Sequence, residues 1–219
     1  MKKQITIHKV YFIIYVAITL IAALFLILFS KSEIHIYLNK FHTNWLDPIF
    51  RYTTDLGDGM AIVVVSVILL FFSKRKMFQV ALSGVLSGVI AQFLKKVVFG
   101  PTPRPSAYFE DLNIPLHYVD GVELHTAFSF PSGHATAIFT LITSLVLILK
   151  RPKLDVFFIA LAVIIAYSRI YLSQHFLGDI FAGSMIGIGA SLTVYTLLYQ
   201  TKIIEKASLD KPLFNFNTN

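Results

Sequence analysis

Residues 168–179 read Ser168-Arg169-Ile170-Tyr171-Leu172-Ser173-Gln174-His175-Phe176-Leu177-Gly178-Asp179. They sit where one apolar run ends and the next begins. On a helix His175 and Asp179 share a face, because residues four apart are neighbours. A carboxylate placed there holds one imidazole nitrogen as N–H and leaves the other free to attack an electrophile. Arg169 adds a permanent planar cation whose donors match phosphate oxygens. The competing reading is that these are interfacial polar residues capping two membrane helices. Taken by itself the stretch leaves the two readings even, and the rest of the chain must decide.

Of the 219 residues, 56% are hydrophobic and only 14% charged, which excludes an ordinary soluble domain. A mean hydropathy of +0.70 agrees. The net charge of +7 does not point to nucleic acid, because the basic residues stand in short clusters between apolar runs. That is the positive-inside pattern of a membrane protein. The chain has no cysteine, so disulfides and thiolate chemistry are both excluded.

Six apolar runs are expected to cross a membrane as helices: 10–29, 57–73, 77–99, 130–149, 154–172 and 176–199. The first has the ~20 residues a helix needs to cross ~30 Å of hydrocarbon. No small-x-small cleavage site follows it, so it reads as a retained span and not as a signal peptide. Residues 30–58 are mixed, and Trp45 with its Tyr and Phe neighbours suits a helix lying at headgroup level. Asp55 and Asp58 read as helix-entry caps. Ser83, Gly84, Ser87 and Gly88 in the third run, and Gly183, Gly187 and Gly189 in the sixth, are small enough for close helix packing. The long polar connection opens with Gly100-Pro101-Thr102-Pro103-Arg104-Pro105, which cannot continue a helix. Its His117 and His125 have no partner at ligand spacing and read as exposed loop residues. The tail beyond 199 is polar and expected to be disordered at its end.

The basic residues orient these runs. The N-terminus, the 74–76 loop, the 150–153 loop and the tail hold twelve of the nineteen Lys and Arg. Both termini are therefore expected on the cytoplasmic side. With that topology Lys95-Lys96, Ser132-Gly133-His134, Arg169 and His175 all fall at the outer interface, with Arg104 in the adjoining loop. Pro131 fits the first turn of a helix, where its missing N–H is no loss. Ser132, Gly133 and His134 would then present free backbone N–H groups at the positive end of a helix dipole. His134 can protonate a leaving oxygen while His175 attacks phosphorus. Arg104, Arg169 and a lysine can neutralise the equatorial oxygens. Asp55-x-x-Asp58 could attract a divalent cation, but it has few other ligands around it, so no metal and no cofactor is expected.

The run Pro131-Ser132-Gly133-His134, then Ser168-Arg169 with five residues before His175 and three more before Asp179, closely resembles the type-2 phosphatidic acid phosphatase superfamily. A lysine some way before Arg104-Pro105 resembles that family's first motif. The resemblance implies a metal-independent membrane phosphatase working through a phosphohistidine. On it His175 is the nucleophile, Asp179 orients it, and His134 protonates the leaving group and later activates water. Lys95 or Lys96, Arg104, Ser132, Gly133 and Arg169 bind phosphate. The family usually places six residues between lysine and arginine, whereas here Lys96 gives seven and Lys95 eight. Helix phase favours Lys95, which falls with Gly84, Gly88 and Ala91 at about 100° per residue. Lys96 then snorkels toward headgroups.

The expected fold class is thus all-α, one domain over 1–219, an integral bundle of six transmembrane helices with both termini cytoplasmic and the site at the outer interface. The expected function is hydrolysis of a lipid phosphate or diphosphate of the undecaprenyl diphosphate, phosphatidylglycerophosphate, phosphatidic acid or lipid A type. The expected partners are that substrate and membrane lipids, in the cell's inner (cytoplasmic) membrane with the site facing the periplasm or cell exterior, and no nucleic acid. A non-catalytic or transport-type six-helix protein is the alternative. Transport sites lie near the bilayer midplane in broken helices, whereas these charges lie at the ends of runs.

Overall fold

The computed structural model describes residues 8–201 and 207–211, and among these the chain is helical throughout, without a strand. Lys2, Lys3, Lys202, Lys206 and the end of the tail lie outside the described residues. The apolar runs fold as α1 (Lys9–Leu28), α4 (Gly59–Leu70), α5 (Lys74–Phe93), α7 (Gly133–Leu149), α8 (Asp155–Tyr171) and α9 (Leu177–Tyr199). Three shorter helices lie between them: α2 (Lys31–Asn39), α3 (Leu46–Thr53) and α6 (Pro105–Asp111). Ser30 starts α2 with a reciprocal capping box to Glu33. Trp45 precedes α3 and is two-thirds exposed.

Among the described residues four helices are long and apolar enough to cross a membrane: α1, α8 with its leading 3-10 turn, α9, and α5 with the π-helical turn Leu94–Val98 that extends it. A fifth span arises if Leu46–Gly57 and α4 count as one segment broken by a 57° bend. The run expected over 57–73 is thus a 12-residue helix with a bent approach. The break has a local cause, since Asp58 is extended and its carboxylate accepts the Met60 N–H as an N-cap. Asp55, expected to cap as well, lies inside the 3-10 turn Thr54–Gly57 and caps nothing. Helix α7 is shorter, at 17 residues. It is also the most enclosed, packed between α5, α8 and α9 with nearly every side chain buried.

Close approach of α7 and α9 depends on two glycines. A Cβ on Gly183 would stand 2.7 Å from the Ser132 carbonyl, and one on Gly187 would stand 2.6 Å from the Thr136 carbonyl. Gly189 and Gly88 meet nothing, so these two do not serve the expected packing role. On α5 the buried face is a polar row. Gln79 Nε2 donates to the Ser191 carbonyl (3.0 Å), and Thr140 Oγ1 donates to Ser87 Oγ (2.9 Å). Inter-helix hydrogen bonds of this kind contribute ~0.6 kcal/mol each and fix register where lipid offers no hydrophobic drive. Gly187→Ala is expected to cost about 1–3 kcal/mol of overpacking and to lower the unfolding midpoint in detergent. Gly189→Ala, four-square with solvent or lipid, should leave it unchanged in the same thermal scan.

Candidate active site

The site is assembled at one end of α5, α7, α8 and α9. At the entry to α9, Asp179 Oδ2 collects three donors: Ser129 Oγ at 2.5 Å, the Phe176 N–H at 2.9 Å and His175 Nδ1 at 3.3 Å. A carboxylate only accepts, so Nδ1 carries the hydrogen and Nε2 keeps its lone pair. His175 is 1% exposed. Burial is the main reason its imidazolium is pushed down to about 3, against the pull of Asp179 and with the push of Arg104 and Arg169. The ring is therefore neutral at physiological pH, as a nucleophile requires.

Ser132 caps α7 by accepting the Ala135 N–H on its Oγ, and its own N–H donates to the Asp179 carbonyl at 3.0 Å. Pro131 consequently stands before the cap and not in the first turn. Of the three N–H groups expected to be free, Ser132's is engaged, while those of Gly133 and His134 have no acceptor among the described residues. His134 is half-buried beside Gly57, whose lack of a Cβ lets the 3-10 turn approach the imidazole.

Three cations surround this point. Arg169 is buried, its Nη1 donates to Thr54 Oγ1 at 2.7 Å, and its Nε has no acceptor. Arg104, at the N-cap of α6, donates to the Ala127 carbonyl and to the Gln174 side chain (2.9 and 3.1 Å). Burial lowers its pKa. Lys95 is buried and lies within electrostatic reach of Arg104, Arg169 and Asp179, whereas Lys96 is exposed. Helix phase, and not motif spacing, thus located the buried lysine. Sequence reasoning did not single out Ser129, Thr54 or Gln174, which hold Asp179, Arg169 and Arg104. Ser129 and Gln174 adjoin motif residues, but Thr54 lies far upstream and carries no signal.

Of the two loop histidines expected to be exposed, His117 departs from that and His125 does not. His117 is half-buried, stacks on His42 with centroids 3.7 Å apart and bonds Asp47 Oδ2 at 3.2 Å. His125 is exposed and lines a cavity that also reaches His134 and Arg169. Among the described residues no cluster of three His, Cys, Asp or Glu side chains is placed to hold a metal.

The PAP2 superfamily profile matches residues 75–203, more than half of the chain. The chain belongs to the PAP2 superfamily. It is 29% identical over 147 residues to an undecaprenyl-diphosphatase of Sulfolobus acidocaldarius, an alignment covering 65% of this chain and 66% of that protein, just under two thirds of its length. The crystal structure of Aquifex aeolicus LpxE superposes with a TM-score of 0.66 at 27% identity, covering 75% of this chain and 94% of that one. The first transmembrane PAP2 type phosphatidylglycerolphosphate phosphatase from Bacillus subtilis gives 0.59 at 21%, covering 90% and 96%, a likeness of fold. The matched segment of this PAP2 chain contains every candidate phosphate contact from Lys95 to Asp179.

Lys95→Ala is expected to lower activity by about 10²–10³-fold, the cost of one preorganised charge contact, and Lys96→Ala to be tolerated. Steady-state phosphate release from the two purified variants compares them directly. Equal losses would mean that burial of Lys95 is structural only.

Proposed function

We propose that the chain is an integral membrane lipid phosphate phosphatase. The observation that carries this is the convergence of a carboxylate-held neutral imidazole, a second histidine and three buried or half-buried cations at one helix layer. His175 Nε2 attacks phosphorus and forms the N–P bond, and the bond to the leaving oxygen breaks. That oxygen takes a proton from His134, which then accepts one from the water that hydrolyses the phosphohistidine. Arg104, Arg169, Lys95 and the N–H groups of Gly133 and His134 hold the equatorial oxygens. Asp179 orients His175 and stabilises the charge that develops on it. No step asks for a metal ion or cofactor.

The lipid requirement follows from place. A site at the membrane interface takes a headgroup from water while the tail stays in lipid. Six spans, α1, α4, α5, α7, α8 and α9, would put the 74–76 and 150–153 clusters on the cytoplasmic side and the site on the outer face of a bacterial inner membrane. The alternation fits the layout, because the two basic clusters lie at the opposite ends of their helices from Lys95, His134 and Arg169.

Activity on a lipid phosphate is expected to survive chelator, to be blocked by vanadate and to vanish in His175→Ala. His134→Ala should slow a poor leaving group far more than a good one, since only the former needs protonation. Full activity of His175→Ala, or loss in chelator restored by a divalent ion, would overturn the mechanism. Single cysteines at positions 75, 115 and 151 of this cysteine-free chain test sidedness. An impermeant thiol reagent applied to intact cells should label only position 115, and labelling of 115 only after membrane disruption would reverse the orientation.

A further inference from the structure

His35 is a buried titratable group that the mechanism above does not use. It stands on α2, 1% exposed, with its Nε2 3.3 Å from Ser173 Oγ. Asn39, one turn further along the same helix, donates its Nδ2 to that hydroxyl at 3.3 Å. Asn39 also grips the outer loop, accepting the His117 N–H on its Oδ1 at 2.9 Å and donating its Nδ2 to the His117 carbonyl at 3.1 Å. The His35 ring stacks on Phe109 of α6 and meets Phe176 edge-on, with centroids 5.4 Å away in both cases.

Ser173 and Phe176 bracket the nucleophile. Residues 173–176 carry His175 from the end of α8 to the start of α9, and one imidazole touches both ends of that turn. Among the described residues the His175 ring makes one hydrogen bond, to Asp179 at 3.3 Å, so its aim depends on the backbone that carries it. Both partners in the His35–Ser173 contact are poor choices for stability alone. Ser173 has φ +51°, a left-handed conformation that glycine adopts without strain and serine does not. His35 leaves Nδ1 buried with no partner among the described residues, a loss that phenylalanine in the same aromatic pocket would avoid. Two locally unfavourable residues that meet each other are expected where function, and not packing, sets the choice. Burial pushes the His35 pKa down to about 4, against the pull of Asp179. The ring is therefore uncharged at neutral pH and acts on the turn by contact.

We propose that His35 is a positioning residue for phosphoryl transfer. Through Ser173 on one side and Phe176 on the other, it holds the turn so that His175 Nε2 meets phosphorus in line. This rests on the phosphatase reading above and gives a role to α2, which lies outside the segment matched by the family profile.

The test measures kcat and KM of the full-length protein in detergent. The substrate is whichever of undecaprenyl diphosphate, phosphatidylglycerophosphate, phosphatidic acid and lipid A the wild type turns over fastest. His35→Phe keeps a ring between Phe109 and Phe176 but loses the nitrogen, and Ser173→Gly suits the backbone but loses the hydroxyl. Each is expected to lower kcat by about 10–10²-fold, as a misplacement near 1 Å does, with KM changed by less than about threefold. His35→Gln, whose amide reaches Ser173, is expected to bring kcat back to within about threefold of the wild type. The unfolding midpoint of Ser173→Gly should stay close to the wild-type value, so this variant decides alone if His35→Phe fails to fold. Vanadate takes its fifth bond from His175, whereas orthophosphate needs only the cations. The vanadate Ki should therefore rise in parallel with the loss of kcat while the orthophosphate Ki holds; a fold loosened as a whole would weaken both. Undiminished kcat in either His35→Phe or Ser173→Gly, a loss in His35→Gln as large as in His35→Phe, or equal weakening of the two inhibitors would overturn the positioning role. If the wild type releases phosphate from none of these lipids, the phosphatase reading falls, and vanadate binding decides the role of His35. The rise in unfolding midpoint on adding vanadate should then be lost in His35→Phe and kept in His35→Gln; no such difference refutes it.

Discussion

The approach of α7 to α9 is the constraint on which the site depends. Gly183 and Gly187 bring two backbones so close that one added methyl on either would strike a carbonyl of α7. That contact lets the Ser132 N–H reach the Asp179 carbonyl at 3.0 Å. A single hydrogen bond between the first turns of two helices then sets the depth of His134 relative to His175. His134 stands in the first turn of α7, while His175 lies in the connection just before α9, tied by its N–H to the Arg169 carbonyl at the end of α8 and by its Nδ1 to Asp179 in the first turn of α9. Small-residue packing is the available device in lipid, where apolar burial between helices gains little.

Asp179 converts that register into chemistry. Its Oδ2 is taken by Ser129, the Phe176 N–H and His175, which compensates for burying a carboxylate beside apolar side chains. Burial holds His175 neutral, and the carboxylate supplies direction without forcing the ring to charge before it attacks. The Ser129 hydroxyl and the Phe176 N–H hold the carboxylate in place, and the same Oδ2 faces the His175 Nδ1, so orientation and charge stabilisation fall to one atom.

Much of this was legible in the chain. The apolar runs announced their helices, and the polar residues at their ends announced one layer. What was not legible came from two physical sources. Helix boundaries follow capping, which hydropathy does not register: the extended Asp58 shortened α4, and Ser132 displaced Pro131 from the helix it was expected to start. The supporting shell follows tertiary proximity, which spacing does not encode. Thr54 reaches Arg169 only because α3 and its 3-10 turn pack against α8, and nothing in the sequence around Thr54 marks it. Glycine marked close contact at 183 and 187 but not at 88 or 189, because a small residue permits approach without causing it.

Lys95 shows how the buried polar row and the cation cluster are parts of one problem. The row Gln79, Ser83, Ser87 and Ala91 advances four residues at a time along the buried face of α5, and Lys95 is its next member. The helix changes to a π turn at Leu94–Val98, where the lysine is already committed to the inner face. Hydrogen bonds from that row to α7 and α9 keep the face inward. They hold it against repulsion, since Lys95 is brought toward Arg104 and Arg169 with no carboxylate paired to it among the described residues. Thr54 and Gln174 steer the two guanidinium groups but neutralise neither. Gathering these like charges costs free energy that an oxyanion bound among them would offset, so the packing that holds the α5 face inward also builds the affinity of the site for phosphate.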